Sequence, residues 1–224
     1  MSSKTYPTLE TESRLFANGN RFVIGIDEVG RGAIAGPVAV GVVLLDKTND
    51  KLTAWPTNLM DSKLMTPKSR EAIFEQLGTW VHSYSVGLAT NTEIDSIGIS
   101  EALKLAASRA LAELMTSAAL RQTLAESGTA VLLDGSHNWL GEKASGLAVQ
   151  TQVKADTNCV SVAAASVLSK VVRDRLMVEL DSQFPEFGLA ANKGYASSAH
   201  ISGLLEHGPS AIHRQTWLTR ILGQ

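Results

Sequence analysis

The order in which strand and helix patterns follow one another constrains the fold of this chain more than any other feature. Five segments rich in β-branched or apolar residues predict strands at Arg21–Ile26, Pro37–Leu45, Ser83–Thr90, Ala130–Leu133 and Leu147–Lys154. The first two are expected to pair as a hairpin. Helical patterns separate the later strands, so a β-meander is followed by alternating strands and helices. That order predicts an α/β domain with a mixed sheet.

Capping residues and apolar periodicity indicate where the helices lie. Thr66 to Ser69 has the composition of a capped helix start, and Asn91 or Thr92 is expected to cap the next helix. Apolar residues at helical spacing predict helices within Ala102–Leu114, Ser161–Leu180 and Ser198–Glu206. A loop is predicted at Asn192–Tyr195. Residues 1–20 are polar and end in a turn signal, which predicts a loose N-terminal arm.

Composition indicates one domain that works in a reducing compartment. The chain has 224 residues, 44% hydrophobic and 19% charged, as in a single globular domain. Cys159 is the only cysteine, so no internal disulfide can form, which suits the cytoplasm. No apolar run approaches the roughly 20 residues of a membrane span. The net charge of −2 excludes a globally basic surface, so a nucleic-acid surface would have to be local.

Carboxylates follow three of the predicted strands. Asp27 and Glu28 come directly after the first strand, Asp134 follows the fourth and Asp156 follows the fifth. Side chains at strand ends of open α/β sheets project into a crevice, and clustered carboxylates suit Mg²⁺ or Mn²⁺. Two such ions can drive phosphodiester hydrolysis. A single acid after a strand is more often a turn residue, but the adjacent Asp27 and Glu28 repel each other without a cation.

A glycine-rich turn follows the first strand at Gly30-Arg31-Gly32. A dinucleotide-binding loop is one interpretation, but the spacing does not match the fingerprint and Pro37 would interrupt the helix that must follow. A simple tight turn is another. The functional interpretation is that the glycines let backbone N–H groups approach a phosphate or a sugar, with Arg31 adding charge.

Other reactive residue types are better explained by structure than by chemistry. Ser136 and His137 lie in DGSHN and not in a nucleophile elbow. Three later histidines are not at close metal-ligand spacing and are expected to be packed or on the surface: His200, His207 and His213. Cys159 lies among small apolar residues, which predicts a buried packing role.

Long motifs occur along the chain in a fixed order. They are GIDEVGRGAIAGPVAVGVVLL at 25–45, DSKLMTPKSRE at 61–71, VLLDG at 131–135, KADTNCVSVAAASVLSKVVRDRLM at 154–177, FGLAANKGYASSAH at 187–200 and HGPSAIHRQTW at 207–217. In these motifs the chain resembles bacterial ribonuclease HII, a type 2 ribonuclease H, over roughly residues 21–217. That range is the expected domain, between the arm at 1–20 and a short tail at 218–224.

The resemblance implies a fold, a reaction and partners. The implied fold is RNase H-like, with a five-stranded mixed sheet flanked by helices and a helical C-terminal portion. The implied reaction is endonucleolytic hydrolysis of RNA in RNA–DNA hybrids and nicking 5′ of a single ribonucleotide in duplex DNA, with Mn²⁺ or Mg²⁺ as cofactor. We expect a cytoplasmic monomer with no membrane partner. Competing classes are a hybrid-binding protein without catalysis and a nucleotide-dependent oxidoreductase.

The resemblance also implies site residues. The catalytic and metal-binding acids are implied to be Asp27, Glu28, Asp134 and Asp156. The residues implied to contact substrate are Gly30, Arg31, Gly32, Lys193 and Tyr195, of which the Gly-Arg-Gly loop senses the ribose 2′-hydroxyl and Tyr195 packs on the sugar. Asp174 is the alternative for the fourth acid, although an ion pair with its i,i+4 neighbour Lys170 would explain it.

Overall fold

A five-stranded mixed sheet, in the order β3-β2-β1-β4-β5, forms the centre of the structure. The computed structural model describes residues 6–141 and 147–223, except for the side chain of Arg220. The strands are β1 (Phe22–Val29), β2 (Val38–Asp46), β3 (Ser83–Ala89), β4 (Thr129–Asp134) and β5 (Ala148–Gln152). β2 runs antiparallel to both β1 and β3, whereas β1, β4 and β5 are parallel. The predicted hairpin and mixed sheet are confirmed.

Helices cover both faces of the sheet. They are α1 (Glu10–Ala17), α2 (Pro67–Trp80), α3 (Asn91–Leu114), α4 (Ala118–Glu126), α5 (Ala155–Asn158), α6 (Val160–Asp181), α7 (Leu189–Asn192), α8 (Ser198–His207) and α9 (Gln215–Leu222). Apolar residues of α1, α2 and α6 pack on one face, and those of α3 and α4 pack on the other. A third cluster joins the end of α6 to α7, α8 and α9. The predicted helical C-terminal portion is confirmed.

Helix α6 lies directly against the central strands. A Cβ atom on Gly25 of β1 would collide with the backbone of Ser161, and one on Gly41 of β2 would collide with that of Ala165. The missing side chains therefore let the helix approach the sheet closely. Side chains alternate between the faces of a strand, so Asp27 lies on the same face of β1 as Gly25. The strand and α6 together place this carboxylate at the edge of a dry core.

The N-terminal segment is ordered where the sequence predicted a loose arm. Residues 10–17 form α1, and Phe16 is buried against the sheet. One oxygen of the fully buried Glu12 accepts hydrogen bonds from the Ser161 backbone N–H at 2.8 Å and its hydroxyl at 2.7 Å. The prediction is wrong for these residues because a buried acid, Glu12, and a buried aromatic residue, Phe16, together hold this mostly polar helix in place. Apolar periodicity gives no sign of such an anchor.

Two further differences concern helices, namely the cap of α3 and the presence of α4. Thr90, rather than Asn91 or Thr92, caps α3, since its hydroxyl accepts from the Glu93 N–H and the Glu93 side chain accepts from the Thr90 N–H. Helix α4 was not predicted from the sequence, because it buries only Leu124. The predicted cap of α2 is confirmed, because the Thr66 hydroxyl accepts from the Ser69 N–H. Within the described residues, no helix has the length and apolar character needed to cross a membrane.

Candidate active site

Three predicted acids converge at one end of the sheet. Ile26 of β1 pairs in parallel with Leu133 of β4, so the next residues, Asp27 and Asp134, are neighbours on adjacent strands. Asp156 lies in the short helix α5 that follows β5. One carboxylate oxygen from each of the three acids lies within 4.8 Å of the others. Asp27 is thus inside its strand and Asp156 is in a helix, whereas the sequence predicted both beyond strand ends.

Burial and mutual repulsion make this cluster unfavourable without a cation. Burial, followed by the charge of Glu28, raises the pKa of Asp27 well above its ordinary value. Burial and the charge of Asp156 raise the pKa of Asp134. The Asp134 carboxylate is held by the Ala155 N–H at 2.7 Å. These shifts are typical of carboxylates arranged to share positive charge.

Glu28 lies beside the cluster rather than inside it. It follows Asp27 in β1, so strand alternation directs its side chain away from the face of Asp27. Its side chain is 22% exposed, and one oxygen lies 4.0 Å from a terminal nitrogen of Arg31. Burial and then the charge of Asp134 raise the pKa of Glu28. Glu28 therefore lies on the solvent side of the cluster, near enough to Asp134 for the two carboxylates to repel each other.

Lys63 is a site residue that the sequence patterns did not predict. Its ammonium lies 3.2 Å from an Asp156 oxygen. Although partial burial opposes it, the charges of Asp27, Asp156 and Asp61 raise the pKa of Lys63. The only sequence signal was its place in DSKLMTPKSRE, between two predicted elements. Lys63 supplies positive charge beside carboxylates that come from distant parts of the chain.

The glycine-rich turn and Tyr195 share a cavity next to these acids. The cavity, of about 450 Å³, is lined by Glu28, Val29, Gly30, Arg31, Gly32, Ser62, Lys63, Lys170 and Tyr195. The Arg31 side chain is 60% exposed. The Lys170 ammonium lies 5.7 Å from the centre of the Tyr195 ring. Basic, aromatic and backbone groups therefore surround one opening. A nucleic-acid surface on this chain, whose net charge is −2, has to be local in this way.

Two predicted residues lie elsewhere. Lys193 lines a different cavity, with Arg175 and Asp174, and its ammonium donates to the Ala190 carbonyl. Asp174 accepts from Lys170 at 2.7 Å and from Arg70 at 3.2 Å. The ion pair predicted from the i,i+4 spacing is confirmed, and this pairing accounts for Asp174 without a metal.

The remaining candidates are structural. His200 and His213 are fully buried and bonded to each other, while His207 is exposed, so the expectation of packed or surface histidines is confirmed. Cys159 is fully buried, and burial raises the pKa of its thiol to about 12, which confirms a packing role. Ser136 bonds His137 at 2.7 Å on the exposed surface.

Solved structures share this fold. Ribonuclease H2 from Pyrococcus horikoshii OT3 is 28% identical and matches 90% of this chain and 97% of its own, with a TM-score of 0.69. Bst-RNase HIII in complex with Mn²⁺ is 23% identical and matches 90% of this chain and 67% of its own, with a TM-score of 0.66. The sheet, its flanking helices and the carboxylates on β1 and β4 thus define a protein of the RNase H-like fold class.

Sequence comparison narrows this class to one family. A model of the family described as ribonuclease HII matches residues 24–220. Ribonuclease HII from Streptomyces avermitilis is 44% identical over 212 residues, which cover 94% of this chain and 83% of the relative. The chain belongs to the ribonuclease HII family. It is therefore an endonucleolytic ribonuclease H that acts on RNA–DNA hybrids.

Proposed function

We propose that this enzyme also nicks duplex DNA on the 5′ side of a single embedded ribonucleotide. The observation that carries the proposal is the position of the Gly-Arg-Gly loop, Gly30 to Gly32, in one cavity with Tyr195 and Glu28, beside the acidic cluster. A single ribonucleotide differs from its neighbours by one 2′-hydroxyl, so recognition has to occur at that sugar. Backbone, aromatic and basic groups that could recognise such a sugar line this one cavity.

Divalent metal suits the acidic cluster. Asp27, Asp134 and Asp156 offer converging oxygens, and the raised pKa of Asp27 and Asp134 is the sign of carboxylates that lack sufficient positive charge. These three residues, with Glu28, would hold Mg²⁺ or Mn²⁺; Bst-RNase HIII forms a complex with Mn²⁺. Two ions held there would supply an activated water and positive charge for the leaving 3′-oxygen, a chemistry that would leave 3′-hydroxyl and 5′-phosphate ends.

The chain's own residues would bind and orient the substrate. Backbone N–H groups of the Gly-Arg-Gly loop can approach the 2′-hydroxyl closely because the glycines carry no side chain. The Tyr195 ring would pack on the sugar, held beside the ammonium of Lys170. Arg31, whose side chain is largely exposed, and Lys170 would contact phosphates. We assign no contact at the scissile position to Lys193, because it lines the other cavity.

The enzyme is thereby suited to removing ribonucleotides misincorporated into DNA, acting as a cytoplasmic monomer. The test is incubation with a 5′-labelled DNA duplex that carries one ribonucleotide, in Mg²⁺, Mn²⁺ or chelator. We expect a metal-dependent nick on the 5′ side of the ribonucleotide, with a 3′-hydroxyl end. Folded protein that cleaves a long RNA–DNA hybrid but leaves this duplex intact would limit the activity to hybrids.

A further inference from the structure

Arg214 lies beneath the Gly-Arg-Gly loop and donates to three backbone carbonyls. Its two terminal nitrogens donate to the carbonyls of Gly30 at 2.7 Å and Arg31 at 2.8 Å, and Nε donates to that of Gly36 at 3.2 Å. The backbone N–H of Arg214 donates to the Ile34 carbonyl at 2.9 Å. Arg214, from the C-terminal part of the chain, thus donates hydrogen bonds to four residues of the segment 30–36.

This guanidinium is buried and makes no salt bridge with any carboxylate among the described residues. Arg214 is 0% exposed, and the charge of Asp95 favours its charged form only from beyond salt-bridge distance. Burial and the neighbouring charge of Arg173 lower the pKa of Arg214 to about 9. A buried, unpaired charge is costly unless hydrogen bonds compensate it. The compensation comes from the loop carbonyls and from the Trp217 ring, whose centre lies 4.8 Å from Cζ.

The bonds to Arg214 set the direction of the loop's N–H groups. In a trans peptide the C=O and the following N–H point in opposite directions, and the described chain contains no cis peptide. Because the Gly30 and Arg31 carbonyls point inward to Arg214, the N–H groups of Arg31 and Gly32 point outward. Neither N–H donates to any described residue. Two free donors are therefore held at the wall of the cavity that contains Tyr195.

We infer that Arg214 is the positioning residue that presents the Arg31 and Gly32 N–H groups to the ribose of the substrate. This inference rests on the proposed function, since it assumes that the loop reads the sugar. Arginine is required because its three guanidinium nitrogens reach three separate carbonyls at once, whereas the three N–H groups of a lysine ammonium leave one nitrogen on a flexible stem. Pre-organised donors bind without first losing loop entropy.

The test compares wild type with Arg214→Lys on the duplex that carries one ribonucleotide, well below the melting temperature of both proteins. We expect KM to rise and kcat/KM to fall at least tenfold, while the metal concentration for half-maximal activity stays unchanged. Arg109→Lys is the control, because Arg109 also donates to a carbonyl, that of Leu88, but lies far along the chain from the loop. It should retain wild-type kinetics.

A merely structural role gives a different result. It would lower the melting temperature of Arg214→Lys yet leave KM and kcat per folded molecule unchanged, and this outcome would overturn the inference. Wild type that fails to nick the duplex would instead overturn the proposed function.

If Arg214→Lys does not fold, a measurement on the wild-type protein tests the inference. In the metal-free protein, ¹⁵N relaxation should give the Arg31 and Gly32 amides order parameters near 0.85, typical of rigid backbone. Values below about 0.6 would show that Arg214 does not fix the loop.

Discussion

The Nε2 atoms of His200 and His213 lie 3.0 Å apart, so one imidazole donates and the other accepts. The hydrogen bonds of the two Nδ1 atoms show which ring donates. His213 Nδ1 accepts from the Ser210 N–H at 3.0 Å, which leaves its proton on Nε2. His200 Nε2 therefore accepts, and its Nδ1 donates to the Tyr195 carbonyl at 2.9 Å. This chain of bonds, which requires both rings to be neutral, holds the backbone of Tyr195 in place.

Acid should weaken this chain of bonds. Burial and then the charge of His200 lower the pKa of His213 to about 4, against about 6.5 when unfolded. Between these values the unfolded state binds more protons, so the stabilising contribution is complete above pH 6.5 and is lost as pH falls to 4. We expect wild type to lose up to about 1.4 kcal/mol per pH unit more than His213→Gln. Urea unfolding of both proteins from pH 7 to 4 measures this; parallel curves would contradict it.

Gly32→Ala should reduce cleavage without unfolding the protein. A Cβ on Gly32 meets no atom within 4 Å and its φ is not left-handed, so the fold accepts alanine. The methyl group would instead occupy the cavity, where the sugar has to approach. We expect a lower kcat/KM on the single-ribonucleotide duplex with an unchanged melting temperature. Wild-type kinetics would mean that the loop is only a turn.

Gly30→Ala provides the contrast. Gly30 has φ +80°, and a Cβ there would collide with the Arg173 side chain. Alanine should therefore destabilise the protein as well as impair cleavage. Melting curves of the two variants separate the effects.

Removal of the Tyr195 ring should affect the single ribonucleotide most. Tyr195 is 38% exposed and its ring lies beside Lys170, so Tyr195→Ala should lower the free energy of unfolding by about 1 kcal/mol, and rates are compared per folded molecule. Loss of the face that packs on the sugar should lower kcat/KM on the single-ribonucleotide duplex. Tyr195→Phe keeps that face and should stay close to wild type. Equal rates for the alanine variant and wild type would remove Tyr195 from the site.

Sequence patterns predicted the elements far better than the contacts between them. The β-branched runs predicted β1 and β2 because the apolar residues that bury a strand are consecutive in the sequence. The convergence of Asp27 with Asp134 depends on parallel pairing of strands more than 100 residues apart, which periodicity does not encode. The positions of Lys63 and Arg214 are long-range in the same way. Only their occurrence in recognisable motifs pointed to these residues, and a motif alone does not show what a side chain contacts.

Glu12 should contribute to stability from outside the site. Glu12→Ala removes both bonds to Ser161 and leaves a buried N–H unpaired, but it also removes a carboxylate whose pKa burial raises, so we expect a net loss of about 1 kcal/mol in the free energy of unfolding. Glu10→Ala, an exposed change in the same helix, should have little effect. Turnover of folded Glu12→Ala should equal that of wild type. Equal urea midpoints for the two variants would show that Glu12 does not anchor α1.

Asp27→Asn should abolish most activity and yet stabilise the metal-free protein. Because burial and the charge of Glu28 raise the pKa of Asp27, the metal-free protein loses stability as pH rises from the ordinary carboxyl pKa to the raised one, and the full loss persists above it. Asparagine removes this charge at nearly constant shape. In chelator at pH 8, Asp27→Asn should therefore unfold at higher urea than wild type, and the difference should shrink as pH falls.

Asp46→Asn is the control of opposite sign. Although burial acts against ionisation, the Arg21 guanidinium and Thr48 lower the pKa of Asp46 to about 2, so its charge is stabilising at pH 8. Its replacement should lower the urea midpoint and leave metal-dependent cleavage intact. Turnover of Asp27→Asn should fall by orders of magnitude in Mg²⁺ and Mn²⁺, since one of three converging carboxylates is lost. A stable Asp27→Asn protein with wild-type turnover would show that the cluster is not the catalytic centre.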